Sequence, residues 1–201
     1  MEIILASASP RRKEILQNTK LKFEIQKSEI EEAVFEEESP ESMVVRLAYE
    51  KAFDVAENNR DKLVIGADTI VVLGDEVLGK PKDEEEAFDM IQKLSNKTHR
   101  VITGISLIHL KKGIVVNDYQ ISYVTFKDLS EDSIKDYINT KESLDKAGGY
   151  GIQGYGALLV DSIQGDYFNI VGLPISKLSD LLRDHFDINL FYGGWFICKK
   201  L

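Results

Sequence analysis

Short aliphatic runs alternate with apolar stripes at helical spacing along this chain of 201 residues. Residues 2–6 (EIILA) predict a buried strand, and Ser9 followed by Pro10 predicts a helix start, with a hydroxyl cap and a proline in the first turn. A second strand is expected around 22–26. SPES opens another helix, capped by Ser39, which runs to about Asn58 on the stripe Val44, Leu47, Ala48, Ala52 and Val55. LVIGADTIVVLGDEVLG predicts two strands about a GDE turn, with an interruption at Gly66-Ala67-Asp68-Thr69. From 83 to 94, Ala87, Met90, Ile91 and Leu94 form one face of an amphipathic helix. HRVITGISLIHL and GIVVNDYQISYVTF flank KKG as a long hairpin, and a helix follows at 131–139. The glycine-dense DKAGGYGIQGYG leads into a strand at ALLV, then IQGDYFNIVGLP, and a last helix spans 175–183.

Strands and helices alternate at first, which favours an α/β class, while the long central hairpin argues against a purely parallel sheet. The expectation is one α/β domain over 1–201, a mixed twisted sheet with flanking helices, and an aromatic tail over 190–201.

Several residues break the local rules of these elements. Arg11, Arg12 and Lys13 sit in the first turn of the first helix, where the dipole disfavours cations by a few tenths to about 1 kcal/mol. The helix near 83 instead opens on Asp83, Glu84, Glu85 and Glu86, so the violation is local. Lys51 falls on the inward stripe of its helix: either its stem packs while the ammonium reaches solvent, or it lines a cleft and meets an anion. Asp68 lies in an apolar run, where an isolated carboxylate costs several kcal/mol unless paired, protonated or metal-bound; a turn aspartate capping its own backbone is the alternative. Lys80 stands between Gly79 and Pro81 just before a helix, without the pattern of a nucleotide-binding phosphate loop. Within KAGGYGIQGYG the glycines permit close backbone approach, or form a tight turn. Gln153 there offers both a donor and an acceptor, as reading a base edge requires.

Charge sharpens this inventory. A net charge of −9 argues against broad affinity for nucleic acid but leaves room for a small phosphorylated ligand in a local basic pocket, helped by a divalent cation. The single Cys198 excludes an internal disulfide and fits a reducing compartment. No apolar run approaches the roughly 20 residues of a membrane span, and MEIILAS lacks a basic leader, so a cytoplasmic protein is expected. Three scattered histidines support neither a zinc site nor a catalytic triad. An arginine-rich helix start, two unexpectedly placed lysines, an inward carboxylate and a glycine-rich wall are the parts for gripping a polyphosphate and hydrolysing it with metal assistance.

Eight segments, LASASPRR, SEIEE, RLAYEKA, VIGADT, LGKP, THRVITG, DKAGGYGIQG and GDYFNIVGLP, occur in the order seen in the Maf family of nucleoside triphosphate pyrophosphatases, which the chain resembles over residues 3–186. The resemblance implies an α/β fold with two lobes around a central cleft, similar to inosine triphosphate pyrophosphatases. It also implies hydrolysis between the α and β phosphates with Mg²⁺ or Mn²⁺, and family links to homodimers, septum formation and nucleotide-pool sanitation. On that basis Asp68 is expected as proton acceptor, Lys51 and Lys80 as catalytic lysines, and Ser7, Ser9, Arg11 and Arg12 as phosphate ligands. Glu32 would lie near the metal with Asp68, although the adjacent Glu31 leaves that match ambiguous. Arg12, Thr69 and Gln153 match specificity residues of the branch that acts on dTTP and UTP. Two departures stand out: Asn96 occupies a position where glycine is common, and the ending DINLFYGGWFICKKL is unusually long and aromatic, with Phe191, Tyr192, Trp195 and Phe196. The rival expectation is a nucleotide-binding regulator of division with little hydrolysis; an RNA-binding protein is disfavoured by the charge.

Overall fold

The computed structural model describes residues 1–31, 33, 35 and 38–192. The chain runs β1 (Ile3–Leu5), α1 (Pro10–Gln17), β2 (Glu24–Ile25), α2 (Pro40–Glu57), β3 (Leu63–Leu73), β4 (Glu76–Leu78), α3 (Glu84–Leu94), β5 (Thr98–His109), β6 (Ile114–Phe126), α4 (Glu131–Asn139), β7 (Val160–Gln164), α5 (Tyr167–Val171) and α6 (Ile175–Phe186). The strands form one seven-stranded sheet in the order β2-β1-β3-β5-β6-β7, with β4 pairing β3. It is mixed, as expected: β1 is parallel to β2 and β3, whereas β4 and β7 pair antiparallel to β3 and β6.

The caps form as the sequence predicts. Ser9, Ser39 and Asp83 accept hydrogen bonds from the backbone N–H of Arg12, Ser42 and Glu86, each satisfying a first-turn donor. Asn96 adopts φ +55°, a left-handed backbone that glycine favours and asparagine tolerates.

Three expectations need correction, and one stretch without a predicted element proves helical. The predicted interruption at 66–69 is absent, because β3 continues unbroken through Gly66 and Asp68. ALLV is not a strand: residues 154–159 wind into a short 3-10 helix and β7 begins only at Val160. IQGDYFNIVGLP holds the helix α5, which carries no helical stripe of its own because it is only five residues long. The last helix extends to Phe186, where Asp187 ends it in a left-handed conformation.

Two compact units emerge, one comprising Met1–Asp68, Thr103–Gln120 and the chain from Gly172, the other Thr69–Ile102 and Ile121–Val171. In the first, Ile4, Ala6, Ala52, Val55, Ala56, Val64 and Ile108 form a core that packs α2 against β1 and β3. In the second, α3 and α4 pack on the sheet through Ala87, Ile91, Leu94, Ile134 and Ile138, joined by Phe126 and Tyr150. No helix among the described residues is long and apolar enough to cross a membrane. Of the tail, Phe191 and Tyr192 are exposed; Trp195 and Phe196 lie outside the described residues.

Candidate active site

In the first unit the site is built on the close approach of α2 to β3. A Cβ on Gly66 would sit 2.3 Å from the carbonyl oxygen of Ala48 and 2.8 Å from Cβ of Ala52, so only glycine lets the helix lie this close. Strand side chains alternate in face, so Asp68 points to the same side as Gly66, toward α2. Lys51, between Ala48 and Ala52 on that helix, therefore meets it: Nζ donates to Asp68 Oδ1 at 2.5 Å. Only 15% of the lysine side chain and 10% of the aspartate side chain are exposed, so each charge offsets the burial of the other. Lys51 thus meets an anion rather than reaching solvent, and Asp68 is a paired strand residue rather than a turn cap.

The same unit holds the phosphate-binding candidates. Ala6 N–H donates to Ile65 O at 2.8 Å, so β1 delivers Ser7 alongside the Gly66–Asp68 stretch of β3. Carboxyl ends of parallel strands are where open α/β sheets place their ligands. Ser9 N–H donates to Ser7 Oγ at 3.2 Å, and Arg12 Nη1 donates to the same hydroxyl at 3.4 Å. Arg12 Nε donates to Gly172 O at 2.7 Å, which aims the guanidinium across the start of α1. Two serine hydroxyls, a guanidinium and the helix N-terminus therefore cluster, with Arg11 half-buried beside them. Both partial and full positive charges there favour an anion.

Of the acidic segment, Arg46 on α2 holds Glu38 at 2.7 Å and donates to Ala33 O at 2.9 Å. The Glu38 hydrogen bond, the largest contribution, pushes the Arg46 guanidinium above its ordinary range. Glu31 is exposed, and Glu32 lies outside the described residues.

Thr69, Lys80 and Gln153 belong to the second unit. Thr69 follows Asp68 on β3 and is half-buried. Lys80 is exposed after β4, without a partner among the described residues. Its loop is tied to the glycine-rich segment: Gly148 N–H donates to Gly79 O at 2.9 Å. Gly148 has φ +67°, and a Cβ there would come within 3.1 Å of Val71, so glycine is needed for conformation and space together. The Gln153 side chain is half-buried with no protein partner among the described residues, leaving its amide available to a ligand.

Sequence reasoning missed two anchors in this unit. Asn169 on α5, fully buried, donates from Nδ2 to Val101 O and Ser122 Oγ, both at 2.9 Å. His99 on β5, 1% exposed, bonds Tyr150 OH through Nε2 at 2.7 Å. Burial lowers the His99 pKa to about 4 and pushes the Tyr150 phenol up. Neither gave a signal in the sequence: His99 is one of three scattered histidines, and Asn169 lies on a helix too short to show a period.

No group of three or more His, Cys, Asp or Glu that could hold a metal occurs among the described residues. Mg²⁺ asks less of a protein than such a cage, since one or two carboxylates suffice when phosphate oxygens and water complete the octahedron. Asp68 supplies one hard oxygen donor group of that kind.

The model of Maf-like proteins matches residues 2–185. A dTTP/UTP pyrophosphatase of Clostridioides difficile (strain 630) is 63% identical over 193 residues, covering 96% of this chain and 100% of that protein. Another, from Bacillus cereus (strain G9842), is 51% identical over 192 residues, covering 96% and 99%. Among solved structures, a nucleoside-triphosphatase / dITP/XTP pyrophosphatase from Mycobacterium abscessus aligns over 92% of this chain and 96% of its own, with 13% identity and a TM-score of 0.44.

Proposed function

We infer, from the premise that the chain belongs to the Maf family, that it is a hydrolase cutting dTTP and UTP into the nucleoside monophosphate and pyrophosphate. The Lys51–Asp68 pair carries this conclusion. A pure anion receptor gains nothing from a carboxylate beside phosphates, whereas hydrolysis needs a group that takes a proton from water.

The triphosphate lies at the start of α1, with its oxygens on Arg12, Ser7, Ser9 and the positive end of the helix dipole. Asp68 orients a water and takes its proton as the oxygen attacks the α phosphorus. The bond from that phosphorus to the bridging oxygen breaks, and pyrophosphate leaves with the electron pair. Lys51 holds Asp68 Oδ1, which fixes the carboxylate and offsets its charge near the phosphates. Lys80 neutralises charge developing on the leaving pyrophosphate. Gln153 and Thr69 select the base.

A divalent cation, Mg²⁺ or Mn²⁺, would be held by Asp68, Glu32 and phosphate oxygens, and when bound supplies charge neutralisation at the α phosphate. The lone Cys198 is consistent with a reducing compartment and supports the reading that the reaction runs in the cytoplasm, with removal of unwanted pyrimidine triphosphates as its role there.

Asp68→Asn tests the mechanism, since it keeps size and removes the base. The expected loss in kcat is on the order of 10²- to 10⁴-fold with KM changed little. Turnover near that of the unaltered protein would remove Asp68 from the proton-accepting role.

A further inference from the structure

Selection between pyrimidines depends on where Gln153 is presented, beyond the presence of its amide. The pairing edge of uracil and thymine offers an acceptor at O4 and a donor at N3, while cytosine offers the reverse order. An amide carries both functions, so a loosely placed Gln153 serves either base. Discrimination requires the backbone that carries it to be fixed.

We propose that His99 and Tyr150 are positioning residues for base selection, their hydrogen bond anchoring the glycine-rich segment that presents Gln153. This rests on the reading of Gln153 as the base-contacting residue. The anchor is three residues from Gln153 and is inaccessible to water: Tyr150 is 5% exposed and His99 1%. His99, Phe126 and Tyr150 stack edge to face in all three pairings, with centroids 5.0, 5.4 and 4.7 Å apart, so the phenol has one place to lie.

On one side of the anchor, Gly148 N–H holds Gly79 O beside Lys80. On the other, the segment closes on itself: a Cβ on Gly156 would lie 2.1 Å from Gly151 O, and Tyr155 N–H donates to Glu142 Oε2 at 3.1 Å. Between these fixed ends only Gln153 keeps a side-chain amide without a protein partner among the described residues. Among the described residues His99 Nδ1 has no hydrogen-bond partner either, so there the imidazole is held by ring packing and by its bond to Tyr150. Burying a histidine on such terms is costly unless its one hydrogen bond is needed.

The test measures kcat and KM for dTTP and dCTP in the whole protein and in Tyr150→Phe, Gln153→Ala and the double variant. Tyr150→Phe keeps the ring packing and removes the hydroxyl. The expected result is a fall of about five- to tenfold in the dTTP/dCTP ratio of kcat/KM, carried by KM, with kcat for dTTP within about twofold. Adding Tyr150→Phe to Gln153→Ala should leave the ratio of the single Gln153→Ala protein unchanged.

His99→Gln retains a group that reaches Tyr150 OH and should hold the ratio within about twofold, whereas His99→Leu should reproduce Tyr150→Phe. A ratio that moves in Gln153→Ala but not in Tyr150→Phe or His99→Leu overturns the positioning role and leaves Gln153 as base reader. A ratio unmoved by Gln153→Ala overturns both. Equal losses on both nucleotides from Tyr150→Phe, in kcat as in KM, would make the anchor merely structural and also overturn the proposal.

Discussion

A lysine on the buried stripe of a helix and an aspartate inside an aliphatic strand would each destabilise the fold alone; at 2.5 Å they offset one another. Lys51→Met should therefore cost on the order of 3 kcal/mol, because it leaves Asp68 buried without its cation. Adding Asp68→Leu should recover much of that loss. Urea unfolding of the single and double variants reads the coupling, and strictly additive losses would mean the two side chains act independently.

His99 gives a second expectation at this scale. Its folded pKa of about 4 lies below the ordinary 6.5, so the unfolded chain binds the proton more readily between those values. Stability from this group is fully present above pH 6.5 and is lost as pH falls through 4, by roughly 3 kcal/mol in all. The acid limb of the unfolding profile should be shallower in His99→Gln, and identical limbs would contradict a proton-free buried imidazole.

The charged anomalies at Lys51 and Asp68 were legible as anomalies because each violated a periodicity. Their pairing was not, since nothing in a one-dimensional pattern brings residue 51 to residue 68. His99 was not legible at all, because a histidine at one position of a strand violates no rule until its burial is known.

Among the elements, α2 and β3 set the distance between Lys51 and Asp68. Gly66→Ala places a methyl group 2.3 Å from Ala48 O and must push the helix away from the strand. We expect a loss of about 1–3 kcal/mol, and a fall in kcat larger than that of a comparable core substitution, because Lys51 moves with the helix. Thermal unfolding paired with dTTP turnover checks this; full activity at lowered stability would show that the Lys51–Asp68 distance is not sensitive to the helix.

Helices with a cap and a stripe were legible to within a few residues. β3 was expected to break at Gly66 because glycine weakens strands in general. Here its missing side chain is filled by a helix backbone, a tertiary fact. The 3-10 helix at ALLV and the short α5 escaped for the opposite reason: neither is long enough to show a period.

At the scale of the molecule, a net charge of −9 coexists with basic residues concentrated in a few sequence motifs, Arg11, Arg12 and Lys51 in the first unit and Lys80 in the second. The acidic balance disfavours polyanions such as RNA, whose binding needs many contacts at once, while a single triphosphate needs only a few. The mixed sheet was legible from the order of elements, with the parallel strands first and the long hairpin after. Where the chain divides between two units was not, because β3, β5 and β6 each pass from one to the other without any break in composition.

The central claim is that water attacks the α phosphorus of dTTP or UTP. Incubating the protein with a panel of nucleoside triphosphates and Mg²⁺ or Mn²⁺, and separating the products, tests it directly. The account predicts dTMP or UMP with one pyrophosphate each, in preference to products from the other nucleotides. Diphosphate with orthophosphate would place the attack at the γ phosphorus, and nucleotide bound without turnover would make the protein a receptor; either result contradicts the account.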